Sequence, residues 1–309
     1  MAAVLGVLEA FAVIAVVIAV GALVGRTGVL GDNARTVLNR VAFHIGVPAL
    51  LLLNLSQATL SQIFSPSLLV SGLAALGAFG VCFAVLTLIR RRDRADSTIA
   101  AWTGSYVNAG NLGIPLSAYV FGSTTEISAI ILFQSLVMAP IGVAILNSTV
   151  TPRRSAGRQV VALVTNPIIA ASVIGVALAA AGLPIEGVVA DPLRLLADLA
   201  IPTVLIAFGI SLSSGTRDIP PGNRVDLAIV VVFKILLMPA AAFALARWGF
   251  GADDEHVLLV TVLAALPAAQ NLNTYAAVYR RGESLARDAT LVTTAVSVPV
   301  ITGIVALLG

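Results

Sequence analysis

Long apolar runs, separated by short stretches of arginine, glycine and proline, set the pattern of this chain. A membrane-spanning helix needs about 20 mainly apolar residues. By that measure ten segments qualify, at 4–25, 36–56, 67–89, 98–121, 125–148, 160–181, 191–212, 225–247, 255–279 and 286–308. The connections between them are short, which leaves no room for an attached soluble domain. The pattern predicts an all-α membrane protein of ten transmembrane helices.

The charges fall on this scaffold unevenly. Cytoplasmic loops are enriched in lysine and arginine. Connections after the odd-numbered spans hold Arg26, Arg35, Arg40; Arg90, Arg91, Arg92, Arg94; Arg153, Arg154, Arg158; Arg217, Arg224; and Arg280, Arg281, Arg287. The other side holds Arg194 and Arg247 alone, and the last basic residue, Lys234, lies within a span. Losing or adding one span would scramble this bias. It predicts a multi-pass membrane protein with both termini outside.

Composition agrees and excludes several classes. Of 309 residues 59% are hydrophobic and 11% charged, with mean hydropathy +1.02. Soluble domains carry about 25% charged residues, so the lipid bilayer must cover most of this surface. One cysteine, Cys82, leaves no internal disulfide, and two distant histidines, His44 and His256, do not make a metal site. No nucleophile–base set or phosphate-binding loop occurs at a credible spacing, so no enzyme activity and no cofactor are expected. The run "RRRDR" at 90–94 marks topology rather than nucleic-acid binding. No basic residue precedes Arg26, so the first segment reads as a span and not as a cleaved leader.

The halves 1–150 and 151–309 resemble each other. At a spacing of 154 residues Gly21, Gly28 and Pro48 match Gly175, Gly182 and Pro202. At 160, Asn111, Leu112, Tyr119 and Gly122 match Asn271, Leu272, Tyr279 and Gly282, and at 159 Pro140 meets Pro299. Five spans per half is an odd number, so the second half enters the membrane upside down. Such an inverted 5+5 repeat is typical of secondary transporters, whose sites lie near mid-membrane at discontinuous helices.

Two stretches fit that role. Residues 107–122, "VNAGNLGIPLSAYVFG", place Asn108, Gly110, Asn111, Gly113 and Pro115 in span four. Proline lacks a backbone N–H and glycine tolerates unusual backbone angles, so "NAGNLGIP" predicts a break with Pro115 opening a second half-helix. Span nine has "ALPAAQNLNTYAAVY", with Pro267 at the break and Gln270, Asn271 and Asn273 supplying amides. Irregular backbone at membrane depth survives only inside protein or along a wet cavity. The start of each half-helix presents free N–H groups and partial positive charge, suited to a carboxylate. The plain alternative is that asparagines tie helices together and that Gly and Pro are common in membrane helices.

With these motifs the chain resembles the auxin efflux carrier family, which holds the plant PIN-formed exporters and bacterial carriers such as malonate transporters. The likeness covers nearly the whole chain, and Asn108 with Gly113-Ile114-Pro115-Leu116 is its most specific part. It implies a fold similar to bile-acid/sodium symporters, with helices four and nine broken and crossing at mid-membrane. Spans one, two, six and seven would form a scaffold, spans three to five and eight to ten a transport domain, and two chains a homodimer. The family's substrate carboxylate sits at the crossing, which maps onto Asn108 and the amides after Pro267. This chain departs from the plant pattern in having Val107 where those members have proline. It also has Gln270-Asn271-Leu272-Asn273 in place of their more apolar run.

Other polar residues lie within spans, where ionisable groups cost at least about 2.5–3.5 kcal/mol and usually line pathways. Lys234 in "VVVFKILLMPAAA" is a candidate to neutralise an anion or to fill an ion site, against a structural ion pair. His44 and Asp198, equivalent at a spacing of 154, are candidate proton carriers or else satisfied scaffold residues. Tyr119 and Tyr279 read as interfacial residues. Gln134 and Asn147 in span five line the cavity or bond a neighbouring helix.

The expected function is alternating-access transport of a small organic anion, a mono- or dicarboxylate or an auxin-like indole acid, with export favoured by the resemblance. Proton or sodium coupling is open. Three rivals stay open as well. A sodium-coupled importer of bile-acid-like anions would use carbonyls near Gln270 and Asn271; the others are a non-transporting membrane receptor and a channel.

Overall fold

The computed structural model describes residues 2–150, 166–212 and 224–309. Among them the chain is all helical, with no strand and one isolated antiparallel bridge. The helices are α1 (Ala2–Thr27), α2 (Ala34–Gln57), α3 (Leu60–Ile89), α4 (Arg94–Thr103), α5 (109–121) and α6 (Thr125–Thr149). Then come α7 (Pro167–Ala180), α8 (Gly187–Ile210), α9 (Arg224–Gly249), α10 (Asp254–Ala264), α11 (Asn271–Tyr279) and α12 (Glu283–Leu308).

Six of these, α2, α3, α6, α8, α9 and α12, are apolar and long enough to cross a bilayer, with short interruptions at residues 64–65 of α3 and at Leu199 of α8. Predicted spans four and nine come apart, into α4 with α5 and α10 with α11. Arg153, Arg154, Arg158 and Arg217 lie outside the described residues.

The chain divides into two compact units. The first comprises Met1–Ser65, Ala109–Leu132 and Gly157–Arg217. Within it α1 packs along the second half of α8, and α7 along the second half of α2. Small residues let these backbones close up, the usual solution where lipid offers no hydrophobic drive between helices. A Cβ added at Gly209 would fall on the backbone oxygen of Ile18, and one at Gly175 would lie 2.9 Å from the Cβ of Leu55. Helix α5 packs on α1 and α8 in the same unit.

The second unit comprises Pro66–Asn108, Phe133–Ala156 and Asp218–Gly309. Here α4 packs against α3, α6 and α12, and α10 against α3, α9 and α12. Trp102 is fully buried against Gly142, where a Cβ would come 2.7 Å from the indole. At one end of the unit Asp226 is buried and accepts hydrogen bonds from Arg90 at 2.9 Å and Arg92 at 2.6 Å. That ties the connection after α3 to the first turn of α9.

Local features recur 160 residues apart. Helices α3 and α9 both end in a widened π turn, at Val85–Ile89 and Leu245–Gly249. Arg90 N–H then bonds Val85 O and Phe250 N–H bonds Leu245 O, followed by left-handed Arg91 and Gly251. Asp93 and Asp253 cap the next helices, α4 and α10, through their carboxylates. The N–H and imidazole of His256 hold the Asp253 carboxyl below its ordinary value. Left-handed Gly122 and Gly282 end α5 and precede α12.

Candidate functional site

The interruption in span four falls at residues 104–108 and that in span nine at 265–270. Helix α4 ends as Gly104 and Tyr106 return their N–H groups to Ala100 and Trp102. Helix α10 ends similarly at Ala265, whose N–H bonds Thr261 O and Val262 O. Beyond these ends the backbone is extended for a few residues, and the two extended pieces meet.

Asn108 N–H donates to Pro267 O at 2.8 Å, and Ala269 N–H donates to Tyr106 O at 3.2 Å. Val107 and Ala268 lie opposite each other in the antiparallel bridge these bonds enclose. Two side chains complete the accounting. Gln134 Nε2 donates to Val107 O at 3.3 Å, and Ala268 N–H donates to Thr293 Oγ1 at 3.1 Å. Backbone polar groups without partners would cost several kcal/mol each in a membrane interior, and this exchange supplies the partners. Gln134 therefore bonds a neighbouring segment. The Tyr106 hydroxyl is hydrogen-bonded to the side chains of Asn271 and Ser135, bringing the start of α11 against the end of α4.

Of the predicted residues, Asn108 and Pro267 lie in the paired segments and are buried. Gln270 is half-buried in the turn that follows, Asn271 opens α11, and the buried Oδ1 of Asn273 has no hydrogen-bond partner. All five belong to the second unit. Gly110, Asn111, Gly113 and Pro115 lie in α5, which packs within the first unit. One expectation needs correction. Pro115 does not open the second half-helix, which starts at Ala109, six residues earlier. The first turn of α5, Ala109–Gly113, is a π turn, a wider winding often found at functional sites, and the proline is carried inside the helix.

Lys234 is fully buried in α9, and its Nζ donates to Ala264 O at 2.7 Å, with Met238 Sδ at 3.6 Å. The ammonium thus caps the C-terminal end of α10, where helix carbonyls lack partners and the dipole is negative. No carboxylate lies within ion-pair distance of it among the described residues. His44 and Asp198 are exposed on the first unit, with His44 Nδ1 3.0 Å from Arg40 O, whereas the paired segments belong to the second unit. Tyr279 donates its hydroxyl hydrogen to Asn147 Oδ1 at 2.8 Å, and Tyr119 is exposed. Thr293, Tyr106 and Ser135 escaped the sequence reading, because single hydroxyls in apolar helices carry no signal of the partner they meet.

Membrane-length helices, two of the apolar segments interrupted, and interruptions that pair through their backbones describe a membrane transporter. The chain belongs to the auxin efflux carrier family, whose profile, described as "Membrane transport protein", matches residues 6–155 and 147–305. It is 26% identical over 286 residues to a protein of Rhizobium meliloti (strain 1021) named "Putative malonate transporter", covering 88% of this chain and 86% of that one. It is also 26% identical over 239 residues to an "Uncharacterized transporter" of Methanothermobacter thermautotrophicus, covering 77% and 78%. Family and relatives are transporters and not enzymes.

Proposed function

We propose that this protein is a secondary active carrier that moves a small carboxylate across the cytoplasmic membrane by alternating access, in the export direction. The observation that carries this reading is the backbone pairing of the two interrupted segments, Asn108 N–H on Pro267 O and Ala269 N–H on Tyr106 O. In a carrier such a crossing holds the ligand: the amides of Asn108, Gln270, Asn271 and Asn273 form a neutral cradle for one carboxylate beside the positive end of α11.

The Lys234 ammonium, bonded to Ala264 O at the end of α10, adds positive charge that favours a second carboxylate. A relative whose name includes malonate is consistent with a short dicarboxylate as cargo. The ammonium already occupies the Ala264 carbonyl, which a coupling cation would otherwise be drawn to. This favours movement driven by membrane potential or protons over sodium coupling.

Ten spans in an inverted 5+5 repeat, with broken helices crossing at mid-membrane, complete the architecture we propose. The π turns, left-handed residues and aspartate caps recurring 160 residues apart support it. Spans three to five and eight to ten are the part that carries the substrate across the bilayer, and spans one, two, six and seven are the scaffold. Exposed His44 and Asp198 within apolar helices support a homodimer that covers them, since ionisable groups rarely face lipid.

Flux of labelled malonate into proteoliposomes tests the reading. Saturable flux that survives replacement of sodium by potassium is the expected result. Binding without flux makes the protein a receptor, unsaturable flux makes it a channel, and flux lost with sodium makes it a sodium-coupled importer.

A further inference from the structure

The arginine-rich end of the second unit holds a cavity of about 420 Å³ that the transport reading does not use. It lies between the end of α3 and the first turns of α4, α9 and α12, and Arg92, Asp96, Ser97, Asp226, Arg280 and Glu283 line it. The charges around it are not all spent on each other. Asp226 is neutralised by Arg90 and Arg92. Arg281 reaches Asp93 and Asp96 only at 3.9 and 4.0 Å. The Arg280 side chain has neither hydrogen bond nor ion pair among the described residues, and it stands on a left-handed backbone with φ 53°. Left-handed geometry in a residue with a side chain is uncommon and costs on the order of 1 kcal/mol or more.

Two further features point at a ligand. The 26-residue helix α12 begins on this cavity, and its N-cap Gly282 offers no side-chain acceptor to the first turn. Ser97 lines the cavity, and its fully buried hydroxyl has no hydrogen-bond partner.

An unpaired guanidinium and an uncapped helix N-terminus call for an anion. Asp96 and Glu283 on the same wall would repel a simple anion and attract an ammonium. Both demands are met by one ligand that carries both charges. Leu88 and Ile89, 76% and 74% exposed, stand directly before Arg90, so the cavity lies where apolar surface gives way to charge. Basic pockets between membrane helices at that level bind lipid headgroups.

We propose that this cavity binds a zwitterionic headgroup, a phosphodiester joined to a primary ammonium, as in an ethanolamine phospholipid. The phosphodiester is held by Arg280, the Ser97 hydroxyl and the first turn of α12, and the ammonium by Asp96 and Glu283. The site is separate from the paired segments and does not depend on which anion is transported.

The test uses purified, delipidated full-length protein, with retained lipid counted by native mass spectrometry and unfolding followed by thermal shift. Phosphatidylethanolamine should be retained at least fivefold better than phosphatidylglycerol and should raise the melting temperature. Arg280→Gly removes the guanidinium while leaving a residue at ease on a left-handed backbone. It should keep the lipid-free melting temperature and lose at least fivefold in phosphatidylethanolamine retention. Ser97→Ala should lose in the same direction. Equal or better retention of phosphatidylglycerol, wild-type retention by Arg280→Gly, or binding of soluble phosphoethanolamine with no response to the lipid would each overturn the proposal.

Discussion

Replacing Lys234 by methionine removes the buried charge while keeping a long, flexible side chain in α9. Its Nζ is bonded to Ala264 O, and Ala264 stands three residues before Pro267. Three residues of extended chain reach at most about 11 Å, so the ammonium is within roughly 14 Å of the paired segments. At a separation of ~10 Å and an effective dielectric constant near 20, one carboxylate gains about 1.7 kcal/mol from this charge. A dicarboxylate gains it twice. Lys234→Met should therefore weaken a dicarboxylate on the order of ten- to twentyfold more than a monocarboxylate of similar size.

Stability should change little. A charged hydrogen bond is worth about 1.5–3 kcal/mol, close to the roughly 2.5–3.5 kcal/mol that an ammonium costs at mid-membrane. The assay is a thermal-shift titration of both ligand classes on wild type and variant. Equal losses for the two classes, or a collapsed melting temperature with unchanged selectivity, would refute the electrostatic role and leave Lys234 as a structural cap on α10.

Three other outcomes follow from the geometry. Val107 and Ala268 are the non-hydrogen-bonded pair of their bridge, where Cα atoms lie about 4.5 Å apart, within disulfide range. In a Cys82→Ala background, Val107→Cys with Ala268→Cys should cross-link almost completely on mild oxidation; no cross-link would mean the segments are apart. Gly209→Leu drives a side chain into the α1 backbone and should cost at least about 1–3 kcal/mol, read as a lower melting temperature; an unchanged one contradicts the close packing of α1 on α8. Pro115→Ala restores a backbone donor inside α5, so stability should hold or rise while transport slows; normal turnover would argue against a role for the irregular winding.

The six membrane-length helices were legible in the sequence as long apolar runs, most of them bounded by arginine or glycine. The existence of the two breaks was legible too, from glycine, proline and amides clustered where none is needed for a plain helix. Their positions were less so. Pro115 drew the break downstream, yet the chain leaves the helix at Gly104 and re-enters it by Ala109, with the proline accommodated within a helix that starts in a π turn. The partners were not legible at all. Gln134 on Val107, Thr293 on Ala268 and Lys234 on Ala264 join residues 25 to 30 positions apart, and nothing local in the sequence encodes such meetings. Asp226 is similar: in the sequence it is one acid near a basic loop, and only folding sets it between Arg90 and Arg92.

Calorimetric titration of purified protein with malonate reads directly whether a carboxylate is held where the two interrupted segments meet. Wild type should bind saturably, and Asn108→Ala, folded to the same melting temperature, should lose at least tenfold in affinity. Unchanged affinity in that variant would contradict the assignment of the site to the crossing.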